Sequence, residues 1–249
     1  MQWVARLGGT RFTSYNATQT TWHHKETPVA SLTVENYAKA IHQISARQNG
    51  DPATTGEIAS ALGVSPGTVT SMLKTLQESH LVSYRPYEGV ALTQAGDALA
   101  LRILRRHRLI ELFLVKTLDL TWDEVHDEAE HMEHAVSDLL VDRIDSFLDH
   151  PTTDPHGDPI PSADGSVAVP DGRTLVECTA DDEFAFSRIL DQTPEFLRFL
   201  TDSGYSLGTK GRVVSNCIEA AVVTIEVDGH HSTLGREAAE KIQVTLSGN

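Results

Sequence analysis

The sequence predicts a mainly α-helical fold with small β parts, laid out as three successive regions. A helix-turn-helix signal between residues 55 and 76 places the first region. The unbroken helical period of residues 94–118, followed by the run His126 to His134 with its many metal-donor side chains, places the second. Short strands from about Leu175 onward place the third.

Residues 1–30 are rich in Thr, Ser and Gln without helical or strand period, so a disordered tail is expected. From Thr33 the chain turns helical, with Val34, Tyr37, Ala38, Ile41 and Ile44 in register, until Asn49-Gly50-Asp51-Pro52 breaks the run. A second helix opens at Thr55 and stops at Gly63, which adopts the left-handed conformation of a tight turn without a Cβ penalty. Ser65 then caps a third helix that has Pro66 at its first position. Val69, Met72, Leu73 and Leu76 give this helix a buried face, while Ser65, Gly67, Thr68, Thr70, Ser71 and Lys74 lie on the other. Small polar groups and free backbone amides at a helix start suit phosphates and base edges in a DNA major groove. Residues 81–84 and 90–93 alternate as two strands, forming a wing that carries Arg85 and Tyr87 at its tip, within reach of a sugar-phosphate backbone. A winged helix used for protein contacts is the competing reading.

The long helix that follows has more apolar width than one domain needs, which points to a dimer seam, and it carries His107 and Glu111 one turn apart on one face. In the run His126-Asp127-Glu128-Ala129-Glu130-His131-Met132-Glu133-His134, three imidazoles and four carboxylates fall within nine residues. At about 100° per residue, His126, Glu130, Glu133 and His134 share one helical face, while Val125, Met132, Val136 and Leu139 form a separate apolar stripe. One helix carrying all four donors on that face is therefore expected, with a solvated acidic helix as the bland alternative. Near the C-terminus, residues 209–214 and 221–227 read as strands with Asp228-Gly229 as a hairpin turn, preceded by a helix over 194–203.

Composition narrows the function classes. The net charge of −15 is concentrated in residues 119–171, where fifteen acidic residues face one basic one, Arg143. The remainder is close to neutral, so the global charge does not argue against DNA; residues 31–94 carry four basic and five acidic side chains, which makes a dimeric binder the expectation. No apolar run reaches the roughly 18 residues that span a bilayer, and the first residues lack a signal-peptide core, so a soluble cytoplasmic protein with no membrane partner is expected. Only Cys178 and Cys217 are present, which leaves oxygen and nitrogen as the metal donors. A di-iron bundle would need a second Glu-x-x-His motif besides Glu128-Ala129-Glu130-His131, and the His-Glu-x-x-His signature of zinc proteases is missing, so a metalloenzyme is a remote alternative. A metal buffer protein is disfavoured by the segment Ser65 to Lys74.

Taken in order, the winged helix-turn-helix, Arg106-His107-Arg108-Leu109-Ile110-Glu111, the Glu130-x-x-Glu133-His134 core and Asp154-Pro155-His156-Gly157-Asp158-Pro159-Ile160-Pro161 resemble the metal-dependent repressors typified by the diphtheria toxin repressor and the manganese transport regulators. The resemblance covers residues 31–249. It implies a winged helix-turn-helix DNA-binding domain over 31–94, a helical metal-binding and dimerisation domain over 95–165, and an SH3-like β-barrel over 170–249. It also implies a homodimer on a double-stranded DNA operator, without catalysis and without a small organic substrate.

By the same resemblance, one metal is held by Asn36, Glu130, Glu133 and His134, and a second by His107, Glu111, His126, Asp154 and His156, joined by Asp191; His107 is claimed by both sites. Two departures stand out. Asn36 takes a place that is Met in iron-type and Asp in manganese-type members, and Lys39 replaces a second manganese-type carboxylate. Glu130 stands where iron-type members carry Cys, and Asp154 where some streptococcal-type relatives do. Hard oxygen donors favour Mn²⁺, with Fe²⁺ second. The implied function is a manganese-activated repressor of metal-uptake genes, with an iron-activated repressor as the alternative and two metal ions per protomer.

Overall fold

The structure, a computed structural model, describes residues 31–247; the expected tail over 1–30 lies outside them. Helix α1 (Leu32–Arg47) starts on Ser31, whose side chain accepts the Val34 amide. Helices α2 (Thr55–Leu62) and α3 (Pro66–Glu78) are joined through Gly63, which has the left-handed φ of 63°. Thr54 and Glu57 form a reciprocal cap on α2, and Ser65 caps α3. Strands β1 (Val82–Arg85) and β2 (Gly89–Leu92) pair antiparallel as the wing. Tyr37 and Ile41 of α1 share one core with Val69, Leu73 and Leu76 of α3. The position of α1 is therefore linked to that of α3 through this shared core.

Helix α4 (Gln94–Leu118) leaves the wing at Gly96, where an added Cβ would lie 2.0 Å from the Leu81 carbonyl oxygen. Its middle buries Leu109 and Ile110 against α5 (Val125–Met132) and α6 (Asp138–Phe147). Here the structure corrects the expected single donor helix. Helix α5 ends at Met132, residues 133–135 form a turn, and Ser137 caps the new helix α6. Val125 is buried as expected, but Leu139 falls on α6 and is exposed.

Strands β3 (Arg173–Thr174), β4 (Glu183–Ile189), β5 (Lys210–Cys217), β6 (Val222–Val227), β7 (His230–Gly235) and β8 (Ile242–Leu246) form one antiparallel sheet in the order β3-β8-β4-β5-β6-β7. Bulges at Phe186/Arg188 and Val213/Ser215 bend it. Helix α7 (Pro194–Asp202) closes the core on Leu197 and Leu200, beside Phe184, Phe186 and Ile225. Among the described residues no helix is long and apolar enough to cross a membrane.

Candidate metal centre

The break after Met132 gives the acidic run its geometry. Glu133 closes α5 and is fully buried, and His134 sits in the turn that follows, where both side chains meet α1. His134 Nδ1 donates to Glu35 Oε2 at 2.6 Å. In the neutral ring Nε2 is then a lone pair, 3.2 Å from Glu133 Oε1 and without a hydrogen-bond partner. Asn36 Oδ1 is a second buried acceptor without a partner.

Lys39 and Glu35 belong to this site, and the sequence reading missed both roles. They lie four residues apart on α1, a spacing that puts them on one face, but only the fold shows what that face meets. Lys39 is 5% exposed, and its Nζ donates to Glu130 Oε1 at 2.5 Å and to both oxygens of Glu133 at 2.8 and 3.1 Å. His107 Nδ1 lies 3.2 Å from the same ammonium and 2.6 Å from Glu133 Oε2. Burial tends to raise the Glu130 carboxyl, but the adjacent Lys39 charge holds it below the usual range.

On the far side of His107 lies a second cluster. His107 Nε2 is 2.9 Å from Glu111 Oε1, and His126 Nδ1 is 3.3 Å from that oxygen. Burial works to lower the His107 pKa, yet the Glu111 and Glu133 carboxylates push it up to about 9. His156 Nε2 faces the carbonyl oxygen of Trp122 at 2.8 Å, and a carbonyl only accepts, so Nε2 carries the proton. In the neutral ring its Nδ1 is then a lone pair, fully buried, 3.9 Å from Glu111 Oε2 and 4.0 Å from Asp154 Oδ1 and without a hydrogen-bond partner. Asp154 is buried close to Asp158 and Glu111, and its carboxyl is pushed well above its ordinary value. Lone pairs and carboxylates converging without enough protons fit a divalent cation, and a histidine whose other nitrogen donates to a backbone carbonyl is the usual form of a metal ligand.

Among the described residues, three donor groups come close enough to share an ion: His107-Glu111-His126, His107-Glu130-Glu133 and Glu111-Asp154-His156. Asp191 is in none of them. Its carboxylate accepts from Lys241 Nζ at 3.0 Å and from the Thr193 amide at 3.0 Å. The second cluster is instead fastened to the C-terminal sheet by its backbone. The Ile189 amide donates to His156 O at 2.8 Å, and Asp158 accepts from Arg188, from Gln192 and from Arg108 of α4.

In the N-terminal region, Ser65, Gly67, Thr68, Ser71 and Lys74 are exposed at the start of and along α3. Thr70 is half-buried, with its hydroxyl bonded to Pro66 O. Arg85 pairs with Glu88 at the wing tip, and Tyr87 is fully exposed.

Three families match successive stretches: the iron dependent repressor N-terminal DNA binding domain over 31–90, its metal binding and dimerisation domain over 93–162, and the FeoA domain over 173–246. A solved manganese-dependent transcriptional repressor in complex with manganese is 41% identical, with a TM-score of 0.78, covering 86% of this chain and 100% of that one. The chain belongs to the iron dependent repressor family. It is therefore a metal-dependent, DNA-binding transcriptional repressor and not an enzyme, built from a helical DNA-binding domain, a helical dimerisation domain and an SH3-like β-domain. Further relatives resemble it in part or whole. An uncharacterized HTH-type transcriptional regulator of Methanocaldococcus jannaschii is 36% identical over 48% of this chain and 94% of its own length. The iron-dependent repressor IdeR of Mycobacterium leprae is 29% identical over 85% and 96%. The manganese regulator SloR is 33% identical, with a TM-score of 0.70 and coverage of 86% and 98%.

Proposed function

We propose that this protein is a manganese-activated repressor of metal-uptake genes that binds a double-stranded DNA operator as a homodimer, with two metal ions per protomer. The observation that carries this is the set of buried lone pairs without hydrogen-bond partners on Asn36, His134 and His156. Asn36, Glu130, Glu133 and His134 would hold one ion; Glu111, His126, Asp154 and His156 would hold the other, with His107 between them. The relatives named for manganese support the choice of metal, as does the all-oxygen-and-nitrogen donor set. Iron is the second reading, favoured by the relative named an iron-dependent repressor. The domains are read as 31–94, 95–165 and 170–249.

A bound divalent ion would supply positive charge to the acceptors that are left without a partner on Asn36, His134 and His156. The residues do the rest. Asn36 and Glu35 travel with α1, and Glu133 and His134 with the end of α5, so drawing them together fixes α1 against the dimerisation domain. Because α1 shares a core with α3, the recognition face of Ser65, Gly67, Thr68, Thr70, Ser71 and Lys74 is fixed as well. The two α3 helices of a dimer are then set for successive major grooves about 34 Å apart, with Arg85 and Tyr87 on the flanking backbone. A coupling of roughly 1–3 kcal/mol per site suffices.

A gel shift on the protein's own upstream region, titrated with Mn²⁺, Fe²⁺ or Zn²⁺ and with chelator, tests the reading. Retardation that appears with Mn²⁺ and disappears with chelator supports it; equal retardation under both conditions refutes it, and retardation with Fe²⁺ at lower free metal selects iron. Asn36→Asp adds a carboxylate in place of an amide oxygen, and is expected to tighten Mn²⁺ binding by about tenfold in calorimetry. No gain would remove Asn36 from the ligands.

A further inference from the structure

We propose that Lys39 is a tethered cation that holds the first site in the metal-free chain and has to be displaced before that site takes a divalent ion. This rests on reading Glu130, Glu133 and His134 as metal ligands. A lysine normally keeps its ammonium in water, but here it is 5% exposed and surrounded by Glu130 Oε1, both oxygens of Glu133 and His107 Nδ1, all within 2.5–3.2 Å. Those oxygens and nitrogen belong to one of the donor groups close enough to share an ion, so the ammonium sits on the ligands themselves. An ammonium and a divalent ion repel each other and compete for the same oxygens. The flexible four-carbon stem of lysine lets the charge leave without moving α1.

Two consequences follow. The metal-free chain keeps α1 tied to the dimerisation domain by the Lys39 charge beside the His134–Glu35 hydrogen bond, so activation exchanges the first of these tethers for a metal ion. The ammonium also competes as an intramolecular ligand at high effective concentration, which raises the free metal at which the repressor responds.

Lys39→Met keeps the stem and removes the charge. Calorimetry with Mn²⁺ alone should show first-site affinity rising at least about tenfold over wild type, while the metal-free variant melts at a lower temperature because Glu130 and Glu133 lose their counter-ion. Should that variant not fold, the wild-type chain gives the same information through amine acylation mapped by mass spectrometry. Lys39 should be protected in chelator and reactive at saturating Mn²⁺, with exposed Lys74 and Lys116 as internal references. Unchanged or weaker Mn²⁺ affinity in Lys39→Met, or acylation of Lys39 that Mn²⁺ leaves unaltered, would overturn the proposal. Glu133→Gln separates this from failure of the ligand reading: if it loses one Mn²⁺ per chain while Lys39→Met matches wild type, only the role of Lys39 is wrong. If Glu133→Gln takes up as much Mn²⁺ as wild type, the ligand reading falls and the proposal with it.

Discussion

Glu133→Ala is expected to lower the stability of the metal-free protein by about 3–5 kcal/mol and to remove the part of its stabilisation by Mn²⁺ that comes from the first site. Glu133 has no exposed surface, and its two oxygens accept from Lys39, face His107 Nδ1 at 2.6 Å and lie 3.2 Å from His134 Nε2. Alanine leaves a buried ammonium with Glu130 as its remaining carboxylate, and Glu130 is itself partly open to water. The uncompensated charge, more than any lost packing, sets the size of the effect. In urea the midpoint should fall at an unchanged slope, and adding Mn²⁺ should raise it by less than in the wild type, through the second site alone. A variant with the wild-type midpoint and the wild-type response to Mn²⁺ would show that the acidic run is merely solvated.

Gly157→Ala should have an effect of comparable size in a different place. Gly157 has φ of +87°, and a Cβ there would lie 2.2 Å from Ser187 O and 2.8 Å from Arg188 Cα, both backbone atoms of β4. Left-handed strain of roughly 1–2 kcal/mol and an overpacking cost of about 1–3 kcal/mol give a loss of about 2–5 kcal/mol. The functional consequence is more specific than the loss of stability. His156 is held near Glu111 in part by its own carbonyl, which accepts from the Ile189 amide, and by the close approach of the following glycine to β4. Pushing that loop away should remove one Mn²⁺ per chain and leave the site at Glu133 filled. Two bound ions with the wild-type melting temperature would contradict this account of the second cluster.

The DNA-reading half was legible in the sequence because its signals are local. Gly63, Ser65 and Pro66 each have one conformational role, and the structure uses each as expected. The donor run was legible in composition but not in shape. A 100° period carried through from His126 to Leu139 makes one helix, and it overlooks Ser137, whose hydroxyl caps a new helix and leaves Glu133 and His134 in the intervening turn. That turn brings the two donors to α1. Lys39 and Asp191 show the limit of reading residues alone. Lys39 finds its carboxylates 91 and 94 residues away, and Asp191 finds Lys241, pairings set by packing that no local pattern encodes. The strands β3, β4 and β8 escaped notice for a related reason. The first has two residues, the last five, and β4 carries a bulge that breaks the alternation.

The central claim is that metal binding between α1 and α5 and DNA binding on α3 are one coupled equilibrium. Coupling of this kind is reciprocal, so it can be read from the metal side. The Mn²⁺ affinity of the wild-type dimer should be measured with and without a saturating operator duplex. The account predicts that DNA tightens Mn²⁺ binding by the same factor by which Mn²⁺ tightens DNA binding, about 5- to 150-fold. An Mn²⁺ affinity that the duplex leaves unchanged would contradict it.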